Sequence, residues 1–428
     1  MRCGNKVTTK ATDLRSPFAS QIKLPPLRVF ALCTLLFLLS NNVAASDWQF
    51  GAPQTLGEAP RAGLFHQIDS AGRKQVAADA DQVAVVWADN AAGAYQARVA
   101  FRALDGKDFV PARQLSTGVE AYQPVVAALG GGRFLFAWEQ DEGIWLRTGT
   151  ATELGAPLQL DRKESTQPAL AVDAAGRMEV AWARREEGVL RLYNASLQLS
   201  KDGSLTAGKA QPIDAEPARQ DQLYPSLGLS AAGLLAAWED RRHGHTRIVT
   251  AFRPHEGKFT PPRELNDQPE DPRSVAFGAG YGVTRVALAT RDQQVVAVWM
   301  DKRDYRSGYD VYAAFSADGG ETFGANEAVQ DLFGANIPQW RPAVALSPQG
   351  TALVVWDDTR DDSPDLWMSW REAGDWSEDL AVPAGYGPEA HTAPAIAFDP
   401  QGGLHLLWTS RDAAGVSRLW YVQAQETP

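Results

Sequence analysis

A short apolar strand ending in tryptophan recurs seven times along the chain, and this repeat limits the possible folds more than any other feature. The strands read VAVVW, FLFAW, MEVAW, LLAAW, VVAVW, ALVVW and LHLLW, closing on Trp87, Trp138, Trp182, Trp238, Trp299, Trp356 and Trp408. Successive tryptophans are 51, 44, 56, 61, 57 and 52 residues apart. Units of this length, rich in β-branched residues, are too small to bury a sheet alone and must stack on their neighbours.

Each unit repeats the same surroundings. A turn precedes the Trp strand, as in Asp173-Ala-Ala-Gly176, Ser230-Ala-Ala-Gly233, Ser347-Pro-Gln-Gly350 and Asp399-Pro-Gln-Gly402. Asp or Ser caps such a turn, and Gly supplies the positive φ that closes a hairpin. The strand before it is expected to open with proline, at Pro124, Pro168, Pro225, Pro342 or Pro394, where a missing amide is tolerated. A third strand follows the Trp strand, and a weaker fourth completes the unit. Four antiparallel strands repeated seven times predict an all-β, seven-bladed propeller; six or eight blades are the alternatives. The segment around Trp48 resembles the fourth strand of other units, so it is expected to complete the last blade and close the ring.

Ser316-Ala317-Asp318-Gly319-Gly320-Glu321-Thr322-Phe323 matches S-x-D-x-G-x-T-W/F, the Asp-box. It follows a W-x-D-x-R turn at Trp299-Met300-Asp301-Lys302-Arg303, which recurs from Trp238 to Arg242 and from Trp356 to Arg360. With these motifs the chain resembles the sialidase-like propellers built from bacterial neuraminidase repeats. The resemblance implies a structural role for Ser316, Asp318, Gly320, Thr322 and Phe323, with the Asp and Ser bonding the amides of their own turn.

It also implies that a ligand sits on the face carrying the turns between second and third strands and the connections between blades. The long loops of that face span residues 265–283, 330–341 and 383–393. Loops longer than a connection requires are a mark of function. Candidate ligand contacts there are Tyr281, Trp340, Arg341, Tyr386 and His391 from the loops, and Tyr122, Gln123 and Tyr224 near the starts of inner strands. Asp301, Arg303, Asp357 and Arg360 complete the set as turn residues. An aromatic beside an arginine suits a sugar or a carboxylate.

Sialidase catalysis in this family needs three arginines on the substrate carboxylate, a tyrosine nucleophile with a glutamate, and an aspartate acid/base. The family's early Arg-Ile-Pro motif is absent, and Arg341-Pro342 comes late in the chain. The resemblance therefore favours binding of a glycan or an envelope protein over hydrolysis. An exo-sialidase or other glycoside hydrolase, and an envelope scaffold without a ligand, are the competing readings. His243-Gly244-His245 is read as a solvated turn rather than a metal site, and no cofactor is expected.

Residues 1–45 stand apart. Six basic residues precede an apolar run from Val29 to Leu39, and Val43-Ala44-Ala45 offers small residues for cleavage before Ser46. This is the pattern of a secretory signal peptide, implying a periplasmic or extracellular protein with one domain over residues 46–428 and no stable membrane insertion. Cys3 and Cys33 both fall within the leader, so the mature chain is expected to fold without disulfides. Without the leader the chain has 35 basic and 51 acidic residues, a net charge of −16. That charge repels phosphate backbones, and nucleic acid is not an expected partner.

Overall fold

The computed structural model describes residues 47–242, 244–267, 282–303, 308–331 and 337–427. The leader, Tyr281, Tyr305 and His243 lie outside the described residues. Among the described residues no helix is long and apolar enough to cross a membrane.

Seven antiparallel sheets form a seven-bladed propeller, each running from an inner strand at the axis to a short outer strand. The inner strands are His66–Gln67 with Val76–Ala78, then Ala121–Gly130, Ser165–Val172, Gln222–Leu229, Val283–Arg291, Trp340–Leu346 and Ala390–Phe398, taken here as blades 1 to 7. The second strands carry the tryptophans, all seven of which are completely buried. The core is divided into seven apolar layers, one at each joint between neighbouring blades. Each tryptophan lies in the layer shared with the preceding blade, as Trp238 does with blade 3 and Trp356 with blade 5. Side chains alternate along a strand, so the residue after each tryptophan faces the following blade.

The indole N–H of each of these seven tryptophans has an acceptor. Trp87, Trp138, Trp238, Trp299 and Trp356 donate to the side chain two residues on, at 2.7 to 3.1 Å. Trp182 donates to Asp161 and Trp408 to His391 Nδ1. A buried indole without an acceptor would be destabilising.

The ring closes as the sequence suggests. Asp47–Phe50 pairs antiparallel with the final strand, Ser417–Thr427, from Asp47 opposite Thr427 to Phe50 opposite Ala424. Gln54–Leu56 pairs with the same strand further along.

Two details differ from expectation. The inner-strand prolines do not open their strands: Pro124, Pro168 and Pro225 are each the fourth residue. They sit in a bulge, where the ladder is already interrupted and a missing N–H costs nothing. Gly233 lies at the start of a strand rather than in a left-handed turn, and its need is space. A Cβ there would come within 2.2 Å of the Arg253 carbonyl oxygen.

The inner strand of blade 1 is itself broken. Between His66–Gln67 and Val76–Ala78 the chain leaves the sheet and enters the central channel, making one 3-10 turn at Ala71–Arg73. This turn packs against the inner strands of blades 3, 4, 5 and 7. Lys74 Nζ reaches across to the Leu227 carbonyl at 2.9 Å, and the Lys74 carbonyl accepts from Val126 N at 2.9 Å. Gly72 adopts φ 65°, and a Cβ would lie 2.9 Å from Ser226 Oγ, so the stopper has no room for a larger residue at that position. Residues 68–75 thus fill the channel and leave a closed floor beneath the loop-rich face.

Candidate functional site in the channel mouth

A ring of bulges shapes this mouth. In blades 2 to 7 the inner strand shifts register at the same place. There Gln123, Gln167, Tyr224, Arg285, Arg341 and Ala393 take φ between 49° and 62°. A left-handed non-glycine residue costs roughly 1–2 kcal/mol and persists only where its surroundings hold it. In five of these six the preceding blade holds it through the bulged amide. Gln167 N donates to Glu139 at 2.6 Å, Arg285 N to Glu239 at 2.8 Å and Ala393 N to Asp357 at 3.0 Å. Tyr224 N donates to the Gln167 side chain at 2.6 Å, and Arg341 N to Met300 Sδ at 3.1 Å. Glu139, Glu239, Met300 and Asp357 each directly follow the blade tryptophan. One position of the repeat therefore links neighbouring blades and fixes the backbone that carries the side chains of the mouth.

A cavity of about 400 Å³ opens above the stopper, lined among others by Asp69, Tyr122, Gln123, Glu139, Arg341 and Thr392. A second cavity, about 630 Å³, shares Tyr122 and Glu139 and extends outward between blades 2 and 3. Tyr122 packs on Tyr95 with ring centroids 5.5 Å apart and donates to Glu120 at 3.0 Å. The floor is charged. Asp69 lies 3.3 Å from Arg73 and 3.4 Å from Arg285, while Arg341 pairs with Asp357 at 2.8 Å. The Arg285 guanidinium stacks 3.8 Å over the Tyr224 ring.

Burial dominates the acid–base behaviour of this floor. It pushes the Asp357 carboxyl up to about 6, outweighing the opposing pull of Arg341 and the Ala393 amide. It also raises Glu139 and Glu239 against the hydrogen bonds each accepts. Arg73 is lowered to about 10 by burial. An acid whose folded pKa lies above its unfolded value is destabilising once ionised, and that loss develops as pH climbs from the unfolded pKa to the folded one. For Asp357 the window runs from about 4 to about 6. Relative to Asp357→Asn, which keeps an acceptor for Ala393 N, the native protein should lose about 3 kcal/mol of stability between pH 4 and pH 7. Urea unfolding of both proteins across that range checks this; a pH-independent difference would contradict it.

The structure brings Tyr122, Gln123, Tyr224, Arg341 and Asp357 to the mouth. Half-buried Trp340 precedes Arg341 on the rim and packs on Tyr309, centroids 5.1 Å apart. The other described candidates make contacts away from this cavity. Asp301 accepts from the Trp299 indole and pairs with Arg303 at 2.6 Å, and Arg303 lies 3.9 Å over Tyr312. The corresponding acid in blade 6 is Asp358, paired with Arg360 at 2.6 Å. Asp357 therefore does not belong to the turn in which the sequence reading placed it; strand alternation turns it toward blade 7. His391, 6% exposed, accepts from Trp408, and burial lowers its pKa. Tyr386 is 46% exposed and bonds Asp361 at 3.1 Å, edge-on to Trp367. In the Asp-box, Ser316 donates to Asp318, Gly320 N to Ser316, and Thr322 N to Asp318 at 2.7, 2.9 and 2.9 Å, with Phe323 packed on the layer between blades 4 and 5.

Asp69, Arg73, Arg285, Glu139 and Glu239 are not among the residues picked out from the sequence. An acidic residue directly after the tryptophan in three of seven repeats was the available signal for two of them.

No protein-family model matches this chain, and no curated protein sequence matches it. Among solved structures it is similar to the polysaccharide lyase Uly1, with a TM-score of 0.53 at 9% identity over 84% of this chain and 91% of that one. A protein of unknown function from Dyadobacter fermentans has a TM-score of 0.46 at 13% identity, covering 71% and 94% of the two chains. A Hadza microbial sialidase has 0.45 at 13%, covering 78% and 73%. At 9% identity the likeness to the lyase is one of fold alone.

Proposed function

We propose that the chain is an exported saccharide-binding propeller whose ligand site is the mouth above the stopper. The observation that carries this reading is the cavity of about 400 Å³ in which Tyr122, Gln123, Thr392 and Arg341 face one space from rigid inner strands. A sugar presents an apolar face and a rim of hydroxyls. Aromatic faces, amides, hydroxyls and charged groups held without flexible loops match that pattern. Positive and negative side chains pair on the floor, so orientation of hydroxyl groups rather than bulk charge would supply the specificity for a neutral saccharide. The resemblance to sialidase-like propellers supports the same face, and the leader supports export.

Hydrolysis is favoured by one observation, the pairing of Tyr122 with Glu120 beside the Arg341 cavity. The hydroxyl pKa is raised by desolvation and by that hydrogen bond. In this reading Tyr122 would attack the glycosidic carbon while Glu120 takes its proton, the bond to the aglycone oxygen would break with that oxygen protonated by water, and a second water would hydrolyse the glycosyl–tyrosine bond. Glycan-array binding and turnover of a fluorogenic sialoside by the purified protein separate the two readings. Binding lost on joint replacement Trp340→Ala and Arg341→Ala, without turnover, is the expected result. Turnover abolished by Tyr122→Phe would establish the hydrolase instead, and binding unaffected by the double replacement would move the site elsewhere.

A further inference from the structure

The stopper places a carboxylate between two guanidinium groups, with the charge of a third, Arg341, close enough to act on it. Asp69 Oδ1 stands 3.3 Å from Arg73 Nη2 and 3.4 Å from Arg285 Nη1. Burial works against the charged form of Asp69, but Arg73, Arg285 and Arg341 together outweigh it and hold the carboxyl below its usual value. Two of these arginines occupy equivalent bulge positions in adjacent blades, and the third comes from the stopper itself.

The arms of this cradle are held by contacts that do not involve Asp69. Glu239 fixes the Arg285 amide at 2.8 Å, and Tyr224 supports its guanidinium at 3.8 Å. Asp357 holds Arg341 at 2.8 Å. Arg73 is 4% exposed, and its Nε and Nη1 have no hydrogen-bond partner among the described residues. Buried N–H groups left unpaired are costly, so the cradle has more donor capacity than the Asp69 carboxylate uses. The Asp69 side chain is 45% exposed, and the Arg285 and Arg341 side chains are 24% and 38% exposed, so solutes reach the cluster from the mouth.

We propose that Asp69 is a built-in occupant of this arginine cradle, and that by filling it the protein refuses carboxylated and sulfated ligands at the mouth. The inference rests on the mouth being the ligand site and adds the determinant of its charge selectivity. A ligand anion must displace an intramolecular carboxylate already in place and also meets its repulsion. Neutral saccharides meet neither obstacle. Removing the charge at residue 69 should convert the mouth into an anion site.

The test uses Asp69→Asn, which keeps the shape of the side chain, with inorganic sulfate and glucuronate as probes in calorimetric titrations at constant ionic strength. Asp69→Asn should bind both probes at least about tenfold more tightly than the native protein, a gain expected of freed charge-assisted donors. Adding Arg285→Ala or Arg341→Ala should abolish the gain, and Asp69→Glu should behave as the native protein does. Circular dichroism checks that each variant is folded; if the asparagine variant is not, Asp69→Ser gives the same readout. No gain in a folded variant, or a gain that survives loss of both arginines, overturns the inference. A native protein that binds no saccharide on an array would count against the proposed function while leaving the sulfate result to decide the role of Asp69.

Discussion

Asp358→Ala should destabilise the propeller by about 3–5 kcal/mol, the scale observed when one member of a buried ion pair is removed. Asp358 is fully buried and serves three donors at once. It accepts from the Trp356 indole at 3.0 Å, from Arg360 N at 3.1 Å, and from the Arg360 guanidinium at 2.6 Å. Arg360 lies 4.0 Å over Trp367, so one carboxylate joins the core tryptophan, the turn and the third strand of the blade. Alanine would leave the indole N–H without its acceptor and the guanidinium with Asp379 as its remaining carboxylate. Arg360→Ala alone should also cost stability, because the same guanidinium pairs with Asp379 at 2.8 Å, and the double variant Asp358→Ala with Arg360→Ala isolates the coupling between Asp358 and Arg360. Urea unfolding of the two single variants and the double variant provides the measurement. A loss below about 1 kcal/mol for Asp358→Ala, typical of an exposed pair, would show that the turn does not anchor its tryptophan.

That turn illustrates what a repeat makes legible. Tryptophan and the acid two residues later lie on one strand face, so their pairing is local and recurs with the period. The closing strand was legible because Trp48 stands in the context of other fourth strands. Position within a motif was less secure. Asp357 and Asp358 are adjacent acids, and alternation sends one toward blade 7 and the other to its own indole; composition does not distinguish them. The inner-strand prolines were recognisable as periodic, but their placement in bulges depends on amides captured by side chains of a neighbouring blade. The stopper was the least accessible feature. Residues 68–75 read as a polar lead-in to a strand, and their burial depends on a channel that exists only after seven blades have met. The arginine cradle depends on the same closure, since its members come from positions 73, 285 and 341, distant in sequence.

Closure itself is open to direct perturbation. A chain lacking residues 47–56 should lose more than about 5 kcal/mol, comparable to much of the stability of an ordinary domain. Trp48 packs against Trp370 at 6.0 Å and Phe398 at 6.2 Å, within the layer between blades 6 and 7. Leu56, 7% exposed, belongs to the layer between blades 7 and 1. The segment therefore contributes to two adjacent joints, and it covers the outer edge of Ser417–Thr427 along most of that strand. Gln54 further ties it to the Lys107 carbonyl of blade 1 at 2.5 Å. Without it, the final strand presents unpaired amides and carbonyls to solvent, a template for pairing with another chain. The truncated protein should melt well below the native protein and migrate as oligomers on gel filtration. A synthetic peptide of residues 47–56 added in trans should restore the native elution volume, because the register is set by side chains already in place on blade 7. A truncated chain that eluted as the native protein does, with an unchanged melting temperature, would mean that the blades hold the ring without this strand.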